Sequence, residues 1–280
     1  MSLTTKAMLV RMSIGKWYNR VFDKRITDEV ALKYAVANSE DKYVKTLISS
    51  AAMRGVESAI GEIRKYHYEN TLPWAQDSVR ILPSAKYMDY VARMAQLESQ
   101  FKIAVVAFAE KYPDWVAAAK LDKKALFDAN QYPDQHSIAG HFRLDIAFLP
   151  FPDAGDFRIE LDPAEMQKVT AQTKQAINDT MKDASKHLID RIRVRLQTLY
   201  DAIVVPAKVF RDTTVTSVPE IIDLAEELNI ADDDNVRLVC GAARTLCDRR
   251  LTPEALRTNM VYRKELADKT KEVLESMKAL

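Results

Sequence analysis

The stretch whose reading decides the fold is residues 162–205, DPAEMQKVTAQTKQAINDTMKDASKHLIDRIRVRLQTLYDAIVV. It opens with Asp162 as an N-cap carboxylate, Pro163 at the first helical position and Glu165 just inside. That order starts a helix: proline's fixed φ suits the first turn, and carboxylates meet the N–H groups left unpaired there. Val169, Ala176, Ile177, Met181, Ala184, Leu188, Ile192, Leu196, Leu199 and Ile203 then recur at helical spacing until Pro206. At 1.5 Å per residue this helix would run roughly 60 Å, and a helix of that length needs a partner.

Residues 84–111 supply the expected partner. Ser84 is a plausible N-cap, Tyr87, Met94, Phe101 and Phe108 stand seven apart, and Tyr90, Leu97 and Ala104 form a second apolar series of the same period. Between the two helices, Phe142 to Leu149 begins by alternating apolar and polar residues. Pro150, Pro152 and Asp153-Ala154-Gly155 then make a turn before Phe157 to Leu161. The predicted fold class is mainly α: a long, coiled-coil-like antiparallel helical hairpin with a small β-hairpin insertion near 141–161 and flanking helical bundles.

Working outward, residues 3–37 read as a helical region and 42–68 as a second helix, with Tyr43, Leu47, Ile48, Ala52, Val56, Ile60 and Ile63 near the helical period. Pro73 and Pro83 bracket a connector, because each pushes the residue before it out of helical geometry. Pro113 and Pro133 punctuate a shorter helix near 114–129, and helix starts at Ser217-Val218-Pro219 and Thr252-Pro253 mark a C-terminal bundle. The expected regions are 1–83, N-terminal and helical; 84–216, the hairpin with its β element; and 217–280, the bundle.

Composition bounds the function. Six glycines in 280 residues, against a usual share of about 7%, argue against a sandwich or barrel. Cys240 and Cys247 lie seven apart in one predicted helix, about 10 Å along its axis, and cannot pair there. A reducing cytoplasm is the expected compartment. The longest apolar run, Ile103 to Ala109, is too short for a membrane span, and no signal-peptide pattern opens the chain. Residues 1–83 carry 13 Lys and Arg against 9 Asp and Glu, and 163–216 carry 9 against 6. Both excesses are below the dense positive surface of a protein dedicated to gripping a nucleic-acid backbone, which disfavours sequence-independent binding by a monomer.

No nucleophile elbow or phosphate-cradling glycine loop occurs, so no catalytic residue, cofactor or metal is expected. His136 and His141 flank Gly140 near Asp145 but read as turn residues. His67, beside Glu69 and near Trp74, reads as a packing residue before a general base. Asp232-Asp233-Asp234 lacks the glycine and distal glutamate of a calcium loop. Two basic stretches remain as candidate contacts for nucleic acid or a partner. One is Lys16, Trp17, Tyr18, Arg20, Lys24 and Arg25, where a base could stack on Trp17 or Tyr18, or Trp17 could dock the segment onto the body. The other is Lys186, Arg191 and Arg195, in a stretch with Lys182 and Arg193 that 100° steps spread around the helix and several of whose cations lie three or four residues from Asp179, Asp183 or Asp190.

Taken in order, His67-Tyr-Glu-Asn-Thr-Leu-Pro-Trp74, Arg80-Ile-Leu-Pro83, Tyr112-Pro113, Tyr132-Pro133, Pro150-Phe-Pro152 and Asp156-Phe-Arg158 resemble a family of uncharacterised helical proteins associated with tailed phages and prophages. The resemblance covers about residues 8–215 and none of its motifs is catalytic. It implies the cytoplasm of an infected bacterium, and work alongside phage DNA-metabolism genes or an AAA-type ATPase. The expected function is that of a non-catalytic helical interaction or scaffold protein, homo-oligomeric or bound to a protein partner and free of membranes. The alternative is a single-stranded nucleic-acid-binding protein.

Overall fold

The computed structural model describes residues 3–36, 41–74, 78–153, 162–205 and 209–279. In chain order its elements are α1 (Leu3–Lys6), β1 (Ala7–Gly15), β2 (Arg20–Phe22), α2 (Lys24–Lys33), β3 (Val44–Thr46), α3 (Ser50–Glu69), β4 (Leu72–Pro73), β5 (Val79–Pro83), α4 (Tyr87–Lys123), β6 (Arg143–Pro150), α5 (Pro163–Ile203), α6 (Asp212–Leu228), α7 (Asp234–Arg244), α8 (Pro253–Thr258) and α9 (Met260–Ser276). The protein is mainly α with a small antiparallel β component. Among the described residues no helix is long and apolar enough to cross a membrane.

Two compact units divide the chain, and neither is a continuous segment. One comprises Met1–Arg11, Tyr68–Tyr87 and Ala147–Leu280; the other comprises Met12–His67 and Met88–Ile146. The three consecutive regions expected from the sequence therefore do not coincide with the units.

In the first unit the C-terminal half of α5 is the central element. Its buried residues run from Met181 through Leu188, Ile192, Leu196 and Leu199 to Ile203, and α6, α7 and α9 pack on it. Val215, Val218, Ile222, Val236, Val239 and Leu266 complete this core. The helix starts where the sequence places it, with Asp162 as N-cap and Pro163 in the first turn. Its cover differs from expectation: α5 is packed by the C-terminal helices, whereas the long α4 belongs, from Met88 on, to the other unit. Both apolar stripes are buried as their periods require, but each is buried within its own unit.

The second unit is organised around α4, whose Tyr90, Met94, Leu97, Phe101, Val105, Phe108 and Tyr112 are buried. Phe108 meets Trp17 at 6.3 Å and Phe142 at 5.6 Å between ring centroids. The helix does not stop at Pro113. It continues to Lys123 because the proline is exposed while Tyr112 and Ala119 are buried on either side of it. Pro219 likewise lies inside α6, which begins at Asp212. In both cases packing of the flanking apolar residues overrides the proline penalty.

The largest departure is at the N-terminus, where two strands interrupt the region expected to be helical and leave only α1 and α2 as helix. β1 pairs antiparallel with β5, Ala7 opposite Pro83 and Arg11 opposite Val79. The order in that sheet is β4-β5-β1-β6, and β2 and β3 form a separate two-stranded ladder. The second expected helix is shortened in the same way: residues 44–46 are strand and α3 begins at Ser50. Of the expected β-hairpin, the first strand is β6, whereas 157–161 lies outside the described residues.

Candidate binding site

The turn from β1 into β2 brings four of the sequence-predicted residues to one place. Lys16, Trp17, Tyr18, Asn19 and Arg20, with Thr46, Ser50, Met53 and Glu57, line a cavity of about 520 Å³ in the second unit. Trp17 anchors it: the indole is buried, edge-on to Tyr112 at 5.7 Å and tilted against Phe108. Asn19 clamps the neighbouring loop in the manner of a ladder residue. Its amide donates to the Ile48 carbonyl at 2.7 Å and accepts from Ile48 N–H at 2.8 Å, while Leu47 N–H donates to the Asn19 carbonyl at 3.1 Å. The cavity wall is thus held by packing on one side and by three hydrogen bonds on the other.

Adjacent residues consequently have opposite fates. Trp17 is used inside, as the docking alternative requires, and offers no face for stacking, whereas Tyr18 is 74% exposed. Lys16 Nζ lies 3.7 Å from Glu57 and 6.0 Å from the Tyr18 ring centroid. Arg20 is exposed at the start of β2 and pairs across the ladder with Thr46.

Lys24 and Arg25 begin α2. Lys24 reaches Asp28 at 3.9 Å, and Arg25 donates to the Ala125 carbonyl at 3.4 Å. The helix is fixed by its ends. Asp23 caps it, accepting from Ile26 N–H at 3.3 Å, and is itself buried in an ion pair with Lys45 at 3.1 Å. The Lys45 hydrogen bond holds the Asp23 carboxyl below its ordinary range. At the other end Val36 N–H donates to Ala31 O and Ala35 N–H to Leu32 O, with Ala35 at φ 51°. This is the double closure of a Schellman motif, formed on an alanine in the left-handed region where glycine is usual.

Between those caps α2 has no buried residue. Val30 is 47%, Leu32 85% and Tyr34 68% exposed, and Phe22, Tyr43 and Val44 on the neighbouring strands and loop are also exposed. These residues lie in the two stretches whose spacing predicts helix, 3–37 and 42–68. Of these, Phe22 alone carries a local signal, the period-2 run Tyr18-x-Arg20-x-Phe22 bounded by Gly15 and Asp23.

The second candidate set lies in the first unit and does not join this site. Lys186 is exposed and Arg195 half-buried. Arg191 is engaged: its guanidinium donates to the carbonyls of Glu69 at 2.8 Å, Tyr68 at 2.5 Å and Thr71 at 2.9 Å, capping the end of α3. Burial, then Arg80, lowers its pKa to about 10, with Glu69 opposing. Arg80 is buried over the Tyr68 ring at 4.8 Å and donates to the Thr71 hydroxyl at 2.6 Å.

His187 lies close by, its Nδ1 buried without a hydrogen-bond partner among the described residues. Burial, then Arg191 and Arg80, lowers its pKa from 6.5 to about 4, Asp190 opposing. The native imidazole is therefore neutral over a range in which the unfolded chain takes up a proton. Stability contributed by His187 is complete above pH 6.5 and is lost as pH falls towards 4. Between pH 7 and 5 the urea midpoint of a His187→Leu variant is expected to fall less than that of the wild type; an equal fall in both would refute this.

The remaining histidines carry no joint chemistry. His67 is buried with Nδ1 2.7 Å from the Tyr90 hydroxyl, and His136 and His141 are exposed. Among the described residues no group of three or more metal-ligating side chains comes together. Comparison with protein-family models, curated proteins and solved structures found no match for the chain.

Proposed function

We propose that the chain is a non-catalytic helical interaction protein, of the phage-associated kind its motifs resemble, that self-associates through α2. The observation that carries this reading is a ten-residue helix, closed by its own caps, with no buried side chain and with exposed Val30, Leu32 and Tyr34. A helix this short is marginal in water by itself, and apolar side chains left uncovered gain about 25 cal/mol per Å² when buried against a partner. Lys24 already reaches Asp28 within its own helix, so the uncovered apolar side chains and not the charges carry the pairing of two copies.

The expected consequence is specific to the C-terminal end of α2. A Leu32→Asp/Tyr34→Ser double variant should keep the wild-type thermal melting curve, since both side chains are exposed. It should sediment as a monomer at concentrations where the wild type is associated. A variant that sediments as the wild type does would remove α2 from the interface.

A further inference from the structure

The outward face of the β2–β3 ladder carries chemistry that self-association through α2 does not use. Exposure alternates along residues 18–23: Tyr18, Arg20 and Phe22 are exposed, Asn19 and Val21 are half-buried and Asp23 is buried. Opposite them Thr46 pairs with Arg20 and Val44 with Phe22, and Val44 is 51% exposed. Arg20 and Phe22 therefore share one face of β2, about 6.6 Å apart along the strand, and the exposed Tyr18 precedes them in the turn from β1. The Tyr18 and Arg20 end opens on the cavity of about 520 Å³.

The charge of this place selects its ligand. Lys16, Arg20 and Glu57 line the cavity, a net charge of plus one. Glu57 is shared with Lys16, and Arg20 has no ion pair among the described residues. Lys24 and Arg25 follow in the first turn of α2, which holds no acidic residue. A site with one surplus cation flanked by two open aromatic rings suits a monoanion joined to flat aromatic groups. It does not suit a polyphosphate.

We propose that this face binds single-stranded nucleic acid. One base stacks on Tyr18, a base further along the strand stacks on Phe22, and Arg20 meets a phosphodiester between them, with Lys16, Lys24 and Arg25 contacting phosphates to either side. Duplex is excluded, because its bases are stacked on one another and show no free faces to Tyr18 and Phe22. The buried Trp17 and the Asn19 clamp hold the strand in register before any ligand arrives, so little ordering is left to binding.

The test is fluorescence anisotropy of a labelled oligothymidylate of about 20 nucleotides, titrated with the full chain at low and moderate salt. Binding that weakens with salt is expected. Tyr18→Ala and Phe22→Ala should each weaken it about tenfold or more, and Tyr18→Trp should restore it. Arg20→Gln should reduce the slope of log affinity against log salt by about 0.7. A wild-type chain that leaves the oligonucleotide free at low salt overturns the proposal, as does binding unchanged in both alanine variants. If the alanine variants lose self-association while any oligonucleotide binding is untouched, the face is a protein-docking surface and the proposal fails.

Discussion

Replacing Leu188 by aspartate is expected to leave no folded first unit. Leu188 is 1% exposed in the middle of α5, among Met181, Ala184, Ile192 and Leu196, on the face that α6, α7 and α9 cover. A carboxylate there has no partner and must either be buried charged or take up a proton. The cost, about 4–5 kcal/mol or more, approaches the whole stability of an ordinary domain. Phe101→Asp should do the same to the second unit, where Phe101 is 3% exposed on α4. The check is the near-ultraviolet circular dichroism and solubility of each variant. A cooperative, wild-type-like melt in either would show that these faces are not the cores described.

Arg263→Met is expected to be the most damaging change at a polar residue. Arg263 is 4% exposed on α9. Its Nε donates to the Ile203 carbonyl at 3.0 Å, and its Nη2 donates to those of Ala202 at 2.9 Å and Val205 at 2.6 Å. One guanidinium thus satisfies three acceptors that the end of α5 leaves without N–H partners. Methionine fills the volume and supplies no donor, so buried carbonyls are orphaned at a cost of about 3–5 kcal/mol. Lysine should recover part of this, because an ammonium cannot reproduce the planar fork. Arg257→Ala provides the contrast. Arg257 pairs with Asp212 at the surface, donates to the Phe210 carbonyl at 3.1 Å and lies over the Phe210 ring at 5.1 Å, contacts whose loss costs about 1–2 kcal/mol. Urea denaturation of the three variants should rank them in that order, and equal midpoints for Arg263→Met and Arg257→Ala would contradict it.

Arg191 and Arg263 use the same device, one for the end of α3 and the other for the end of α5. Sequence does not separate this use from anion binding. A guanidinium spacing on a helix reads the same whether its acceptors are carbonyls or phosphates, and the carbonyls capped by Arg191 lie about 120 residues earlier in the chain.

Where local chemistry and burial agree, the sequence is legible. The start of α5 at Asp162-Pro163, the N-cap of α8 at Thr252 and the buried heptads of α4 all follow from signals within a few residues. Periodicity states that a face is covered but is silent on what covers it. The spacing therefore pairs α4 with α5, whereas α6, α7 and α9 pack on α5. The N-terminus misled for a different reason. Ala7–Gly15 and Arg20–Phe22 are short, and interleaved basic and aromatic residues fit a helix wheel as readily as a pleat. Pairing with β5 and β3, over 60 and 20 residues away, decides between them, and local sequence does not hold that information. The helix reading also hides Phe22, which stands on a pleat, whereas Leu32 and Tyr34 lie within and at the end of a true helix, and local sequence does not show that α2 is left uncovered.

The central claim is that the open α2 surface joins copies of this chain, and its most direct test is mass by static light scattering across a hundredfold range of protein concentration. The mass is expected to rise to twice that of one chain and to fall back to one chain in the Leu32→Asp/Tyr34→Ser variant. A wild-type mass of one chain at every concentration would contradict it.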